Sequence, residues 1–187
     1  MTDCSGTSPS KVLRNLASFG LLAIALTGCA SKEKGPPQPC PMVMAPRELA
    51  HVTKFGGGGN DLSDISFEAG LDTFSSYCKY SANAEPPYIR TAIKIQFIAA
   101  RGPKFTGDKA SFKYFVAITG PGGEPIKKEV FDSDIDLSGD KVKNITVDEI
   151  DPIKVFPKEK ENGDFYRIYI GLDLTKEQLE YNKRNPR

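Results

Sequence analysis

Tyr166-Arg167-Ile168-Tyr169-Ile170-Gly171-Leu172-Asp173-Leu174 is the stretch whose reading decides the fold. Tyr166, Ile168, Ile170, Leu172 and Leu174 fall on every second position. That is the period of a strand with one face in an apolar core, not the 3.6-residue period of a helix. The same spacing recurs upstream in Ile65, Phe67, Ala69 and Leu71, in Ile93, Ile95, Phe97 and Ala99, and in Phe112, Tyr114, Val116 and Ile118. Shorter strand candidates lie at 42–45, 126–131, 145–150 and 153–156. Turn residues separate these segments: the glycines of 56–60, Glu85-Pro86-Pro87, Arg101-Gly102-Pro103, Pro121-Gly122-Gly123, Ser138-Gly139-Asp140 and Asn162-Gly163. The last pair, between polar flanks, is a hairpin signal. Seven or eight short strands at this spacing predict an all-β fold, a single antiparallel β-sandwich of immunoglobulin-like architecture. The chain contains no Trp, which excludes the Cys-Trp-Cys core of antibody domains and leaves a likeness of architecture alone.

Two short helices are expected beside the sheets. In 46–55, Leu49, Val52 and Phe55 recur every third residue, enough for one or two turns. In 175–181, Thr175-Lys176-Glu177-Gln178 reads as a capping box, with Leu179 placed to pack back on the sandwich.

The N-terminus carries a different kind of information. Lys11 and Arg14 precede residues 16–26, which are free of charge and rich in Leu and Ala, and Leu26-Thr27-Gly28-Cys29 follows. Such a run rises only about 16 Å as a helix, against a bilayer core of about 30 Å. A secretory leader is therefore the better reading than a spanning anchor. Charge, run and box in this order resemble the lipobox signal of bacterial lipoproteins. The resemblance implies diacylglycerol on the Cys29 sulfur, cleavage after Gly28 and acylation of the new terminus. One chain alone binds membranes marginally, whereas several anchor stably. By the same resemblance, Ala30 and Ser31, standing where an Asp retains lipoproteins in the inner membrane, imply the periplasmic face of the outer membrane.

The expected organisation is thus a signal peptide at 1–28, a lipidated Pro-rich tether at 29–39, the sandwich at 40–182 and a basic tail at 183–187. The tether holds three prolines and no large apolar group, so it cannot form a core. Losing Lys11, Arg14 and Asp3 with the leader takes 25 basic and 24 acidic residues to 23 of each. A neutral chain offers no basic stripe for nucleic acid. Cys40 and Cys78 remain as an even pair in an oxidising compartment and predict a disulfide. Closing a loop of that length is worth roughly 4 kcal/mol in the chain-entropy model.

The body also resembles a family of small alphaproteobacterial lipoproteins of uncharacterised function. The residues that carry the likeness are Cys40-Pro41, Cys78-Lys79-Tyr80, Arg101-Gly102-Pro103, Tyr114-Phe115-Val116-Ala117 and the closing stretch from Leu174 to Asn182. The resemblance brings no activity with it.

Candidate chemistry is sparse. His51 is the sole histidine, and no Gly-x-Ser-x-Gly elbow accompanies it. The four glycines from Gly56 to Gly59 lack the Gly-Lys-Ser/Thr of a phosphate loop, and Asp61 and Asp64 follow instead. Asp132, Asp134 and Asp136 match the opening of a calcium loop, with Asp140 as a further oxygen donor, but Leu137 stands where the turn needs Gly and Lys143 where the bidentate Glu belongs. Alternation puts those three acids on one strand face. Tyr77, Tyr80, Tyr88 and Tyr169 are the aromatics available for stacking on a glycan. The reading predicts no catalytic residue, no metal and no cofactor. It predicts a non-enzymatic envelope structural, assembly or binding module, held to the membrane by its lipid. The partner is another envelope protein or a cell-wall polymer. The alternative is a small periplasmic enzyme or calcium-dependent binder using an acidic 132–140 loop.

Overall fold

Alternation along the chain becomes strands wherever a second strand supplies the facing half of the ladder. The computed structural model describes residues 38–59, 61–158 and 161–186. The expected leader, the expected lipidation site Cys29 and the expected tether as far as residue 37 lie outside them. Among the described residues there are eight strands: β1 (Met42–Met44), β2 (His51–Phe55), β3 (Ile65–Ser81), β4 (Tyr88–Arg101), β5 (Lys109–Thr119), β6 (Pro125–Asp136), β7 (Lys143–Val155) and β8 (Arg167–Leu172). They form two four-stranded sheets ordered β1-β8-β5-β6 and β2-β3-β4-β7. The all-β sandwich of the sequence reading stands. All pairings are antiparallel except β1 with β8, which run parallel at a sheet edge. The strand order is this chain's own, because β2, β3 and β4 form a meander within one sheet, which an immunoglobulin domain divides between two.

The core is the interdigitated inner faces. Ile93, Ile95 and Phe97 of β4, Tyr114 of β5, and Ile168, Ile170 and Leu172 of β8 are almost wholly buried. The Phe97 ring sits 4.8 Å from Tyr114 and 5.3 Å from Phe112, and Tyr114 stacks on Phe131 at 5.2 Å. Burying one such side chain contributes about 1.5–3 kcal/mol.

Two bulges keep the long strands in phase with this core. On β3, Phe67, Ala69 and Leu71 point inward; the extra residue Asp72 switches parity, so that Phe74, Cys78 and Tyr80 point inward after it. On β7, Asp151-Pro152 does the same between Ile150 and Ile153. This bulge joins the two short segments read at 145–150 and 153–156 into one strand.

Cys78 thereby meets Cys40, and the disulfide joins the segment entering the β1 sheet to the inner face of the other sheet. Tyr80 completes the clasp. Its hydroxyl donates to the Pro39 carbonyl at 2.6 Å and accepts from the Gly163 amide at 2.8 Å. Gly163 is buried where any Cβ would strike the Pro39 carbonyl and the Cys40–Pro41 backbone.

Several expectations are corrected. Residues 46–55 form one 3-10 turn, Arg47–Leu49, and then β2, not a helix. β-Branched Val52 and Thr53 pair with β3 as far as Phe55, and that ladder satisfies more backbone than a short isolated helix does. Asn162-Gly163 opens a 3-10 turn instead of a hairpin. Its flanking strands, β7 and β8, belong to different sheets, so the chain crosses over there. The basic tail begins inside the C-terminal helix α1 (Lys176–Arg184), where Lys183 pairs with Glu180 at 2.8 Å and Lys183 and Arg184 complement the helix C-terminus. The capping box is present as read: Thr175 accepts from the Gln178 amide, and Gln178 accepts from the Thr175 amide.

Candidate binding crevice

β6 and β7 are the edge strands of the two sheets on the same side of the sandwich. At one end their connection closes the gap: the Asn144 side chain donates to the Asp136 carbonyl at 2.8 Å, and Arg101 donates to the Leu137 carbonyl. Towards the other end the strands separate. Residues 125–130 of β6 are exposed on both faces. The inner faces there leave a crevice of about 420 Å³ whose floor is Val116, Ile118, Ile150 and Ile153. Ile126 and Phe156 stand at its mouth, 54% and 51% exposed.

The register explains the polar rim. Glu129 lies opposite Val116 and Lys127 opposite Ile118, so both charged side chains share the inner face with the aliphatic floor. They neutralise each other at 2.6 Å. A second cavity of about 240 Å³ adjoins the first through Ile118, Ile126 and Phe156 and ends at Tyr166 and Glu161. The Tyr166 hydroxyl donates to Glu161 at 2.5 Å. Burial, followed by that carboxylate, pushes the Tyr166 phenol up to about 12. The same hydrogen bond holds the Glu161 carboxyl below its usual range.

Deeper in the sandwich, β7 turns Asn144, Thr146 and Asp148 inward and leaves Ile145 and Val147 outside. The inversion has a local cause. The Tyr114 hydroxyl is buried between the sheets and needs an acceptor, which Asp148 supplies. Burial, with Asp148 behind it, raises the Tyr114 phenol well above the ordinary tyrosine range.

The sequence-nominated residues do not converge on one site. Asp132, Asp134 and Asp136 lie on strand β6 and not in a loop, on its outer face. On an extended strand the three acids span roughly 13 Å, where a calcium loop would curl them around one cation. Each carboxylate already has a lysine: Lys113 at 2.5 Å for Asp132, Lys109 at 3.5 Å for Asp134 and Lys141 for Asp136. The Ser111 hydroxyl and then Lys109 lower the Asp134 pKa; Lys141 and then Ser138 lower that of Asp136. His51 is half-buried on β2 and borders a shallow depression with Arg47, Gly70 and Ala100 on the outer face of the β3 sheet. The glycines from Gly56 form the β2–β3 connection, where the Gly56 amide donates to the Asp64 carbonyl at 2.8 Å. The tyrosines are dispersed: Tyr77 outside one sheet, Tyr80 inside it, Tyr88 beside Phe156, and Tyr169 outside the other sheet.

The residues behind the family likeness have structural tasks. Tyr181 packs edge-on against Phe55 at 5.3 Å, and the buried Asn182 amide donates to the Glu48 and His51 carbonyls, both at 2.8 Å. Gly102 passes so close to the Ile65 backbone that no Cβ fits. The crevice itself was missed in the sequence; its one legible trace is the charged run Lys127-Lys128-Glu129, which puts charge on both faces of that strand candidate.

No protein-family model, no curated protein and no solved structure matches this chain.

Proposed function

We propose that this chain is an outer-membrane-anchored periplasmic lipoprotein with a non-enzymatic role, a small envelope binding or structural module whose binding site is the crevice between β6 and β7. The single observation that carries the binding role is the aliphatic floor of Val116, Ile118, Ile150 and Ile153, open along a sandwich edge. Sites for small ligands are mostly apolar clefts of this size with a few polar groups at the rim. The anchoring half of the reading draws support from the lipobox at Leu26-Thr27-Gly28-Cys29 and from the Cys40–Cys78 disulfide, a bond typical of exported domains. Among the described residues no helix is long and apolar enough to cross a membrane.

The two halves are tested separately. Cys29→Ala is expected to move the protein from the membrane pellet to the soluble fraction, and continued sedimentation with membranes would refute the anchor. A photo-crosslinking residue in place of Ile126 is expected to capture a reproducible adduct in intact cells, and capture no more frequent than from exposed Tyr77 would remove the crevice from the reading.

A further inference from the structure

We infer that the free edge of β7 is a self-association surface, on which the same strand of a second copy of this chain pairs antiparallel about Thr146 and joins two β2-β3-β4-β7 sheets into one. Among the described residues the two sheets have four edges, and three of them are blunted. β1 has only three residues. α1 flanks β2, and its Asn182 amide takes the His51 carbonyl. β6 opens on Pro125 and turns Lys127 and Glu129 inward, devices that discourage strand addition. β7 keeps a bare stretch from Lys143 to Glu149, bounded by the turn at Gly139 and by the Asp151-Pro152 bulge. Ile145 and Val147, both 48% exposed, stand on its outer face.

Register fixes which backbone groups are free. The Arg101 amide donates to the Val142 carbonyl at 2.9 Å, so Val142 and, by alternation, Asn144, Thr146 and Asp148 bond to β4. The amides and carbonyls of Lys143, Ile145, Val147 and Glu149 therefore point off the sheet, where no described strand pairs with them. A second copy of the same stretch satisfies all of them at once. Antiparallel pairing centred on Thr146 sets Ile145 against Val147 and Lys143 against Glu149, each in a pair that exchanges both backbone bonds. Neither charge has an ion pair among the described residues. Asn144 then faces Asp148, a donor against an acceptor, and Thr146 faces its own counterpart. Other registers lose this match. Centring on Ile145 sets Lys143 against Val147, and centring on Val147 sets Ile145 against Glu149 and runs Lys143 onto the bulge. Parallel pairing in register brings like charges together, which destabilises, whereas opposite charges and aliphatic pairs across strands stabilise. The edge thus selects its own copy. One strand pair is a small interface, so association in the micromolar range is expected.

The test uses the purified protein at tens of micromolar, in mild detergent. Thr146→Cys sets two sulfurs at a non-hydrogen-bonded pair on the dimer axis, where Cα atoms stand roughly 4.5 Å apart, within disulfide reach. It is expected to oxidise to a covalent dimer well beyond the wild-type level, with peptide mapping to place the bond. Tyr77→Cys, at a 68% exposed position away from this edge, is expected to stay at the wild-type level. Adding Lys143→Glu to Thr146→Cys is expected to slow dimer formation at least about fivefold by setting like charges opposite each other, and adding Glu149→Lys as well restores it. Thermal melting confirms the fold of each variant. The unsubstituted protein supplies a second measurement. Zero-length carbodiimide coupling is expected to join Lys143 to Glu149, which stand roughly 20 Å apart along one strand and so link only between copies. Lys94, directly opposite Glu149 across β4 and β7, is the internal control for reactivity. Oxidation of Thr146→Cys no faster than that of Tyr77→Cys overturns the inference, as does coupling of Glu149 to Lys94 alone. Failure of Glu149→Lys to restore the dimer overturns the register and the inference with it. None of these outcomes depends on Cys29 or on the crevice.

Discussion

The closed half of the sandwich and its open edge are made from the same strands and obey different rules. Where β4 faces β5 and β8, the inward positions are apolar apart from the Thr91 and Tyr114 hydroxyls, and Phe97, Ile168 and Ile170 are fully buried. Where β6 faces β7, inward positions include Lys127, Glu129 and Asp148. The first region sets stability through packing; the second gives up packing and leaves a crevice. Substitutions should therefore be costly in one region and cheap in the other, although both lie between the same two sheets.

The most costly single change is expected at the centre of the closed half. Phe97→Ala removes a ring that touches Phe112 and Tyr114 and leaves a cavity that close packing cannot collapse. A loss of about 3–5 kcal/mol in urea unfolding is expected. A loss under about 1 kcal/mol would mean that the closed half is packed as loosely as the edge.

Next is the bond that joins the sheets at the chain's entry. Replacing Cys40 and Cys78 together by Ser should cost up to roughly 4 kcal/mol for a closed loop of this length. Tyr80→Phe tests the neighbouring clasp. It strands the Gly163 amide and the Pro39 carbonyl, so about 1–3 kcal/mol is expected from the same measurement. A neutral result at Tyr80 would show that water replaces the hydroxyl there.

How far the sequence foretold these regions follows from the same division. Period-two apolar faces were legible in β4, β5 and β8 because burial on one side alone determines which residues alternate. β2 was read as helix because Leu49, Val52 and Phe55 happen to recur every third residue, and only pairing with β3 decides against it. β7 was legible as strand but not in its orientation. Ile145 and Val147 suggest an inner face, yet the strand is turned by the needs of Tyr114 and by the ladder with β4. Cavities depend on where two sheets part, a property of tertiary geometry that no local pattern encodes. The acidic run at 132–136 was legible as a strand face, and its lysine partners on β5 appear only through register.

A pH titration probes the crevice end. The Tyr166 phenol is raised from the ordinary 10 to about 12. A raised pKa means that the folded state favours the neutral phenol, so its contribution is complete below pH 10 and is lost as pH climbs through 12. Unfolding in urea at pH 9 and pH 11.5 should show stability falling for the wild type and falling less for Tyr166→Phe. Equal falls would place the alkaline sensitivity elsewhere.

The smallest effect belongs to the mouth of the crevice. Ile126 is more than half exposed and borders open space, so Ile126→Ser removes little buried area, and a change within about 0.5 kcal/mol is expected. If Ile126→Ser instead costs as much as a core substitution, the crevice closes over this side chain in solution, β6 and β7 meet along their whole length, and the division between a packed half and an open edge disappears.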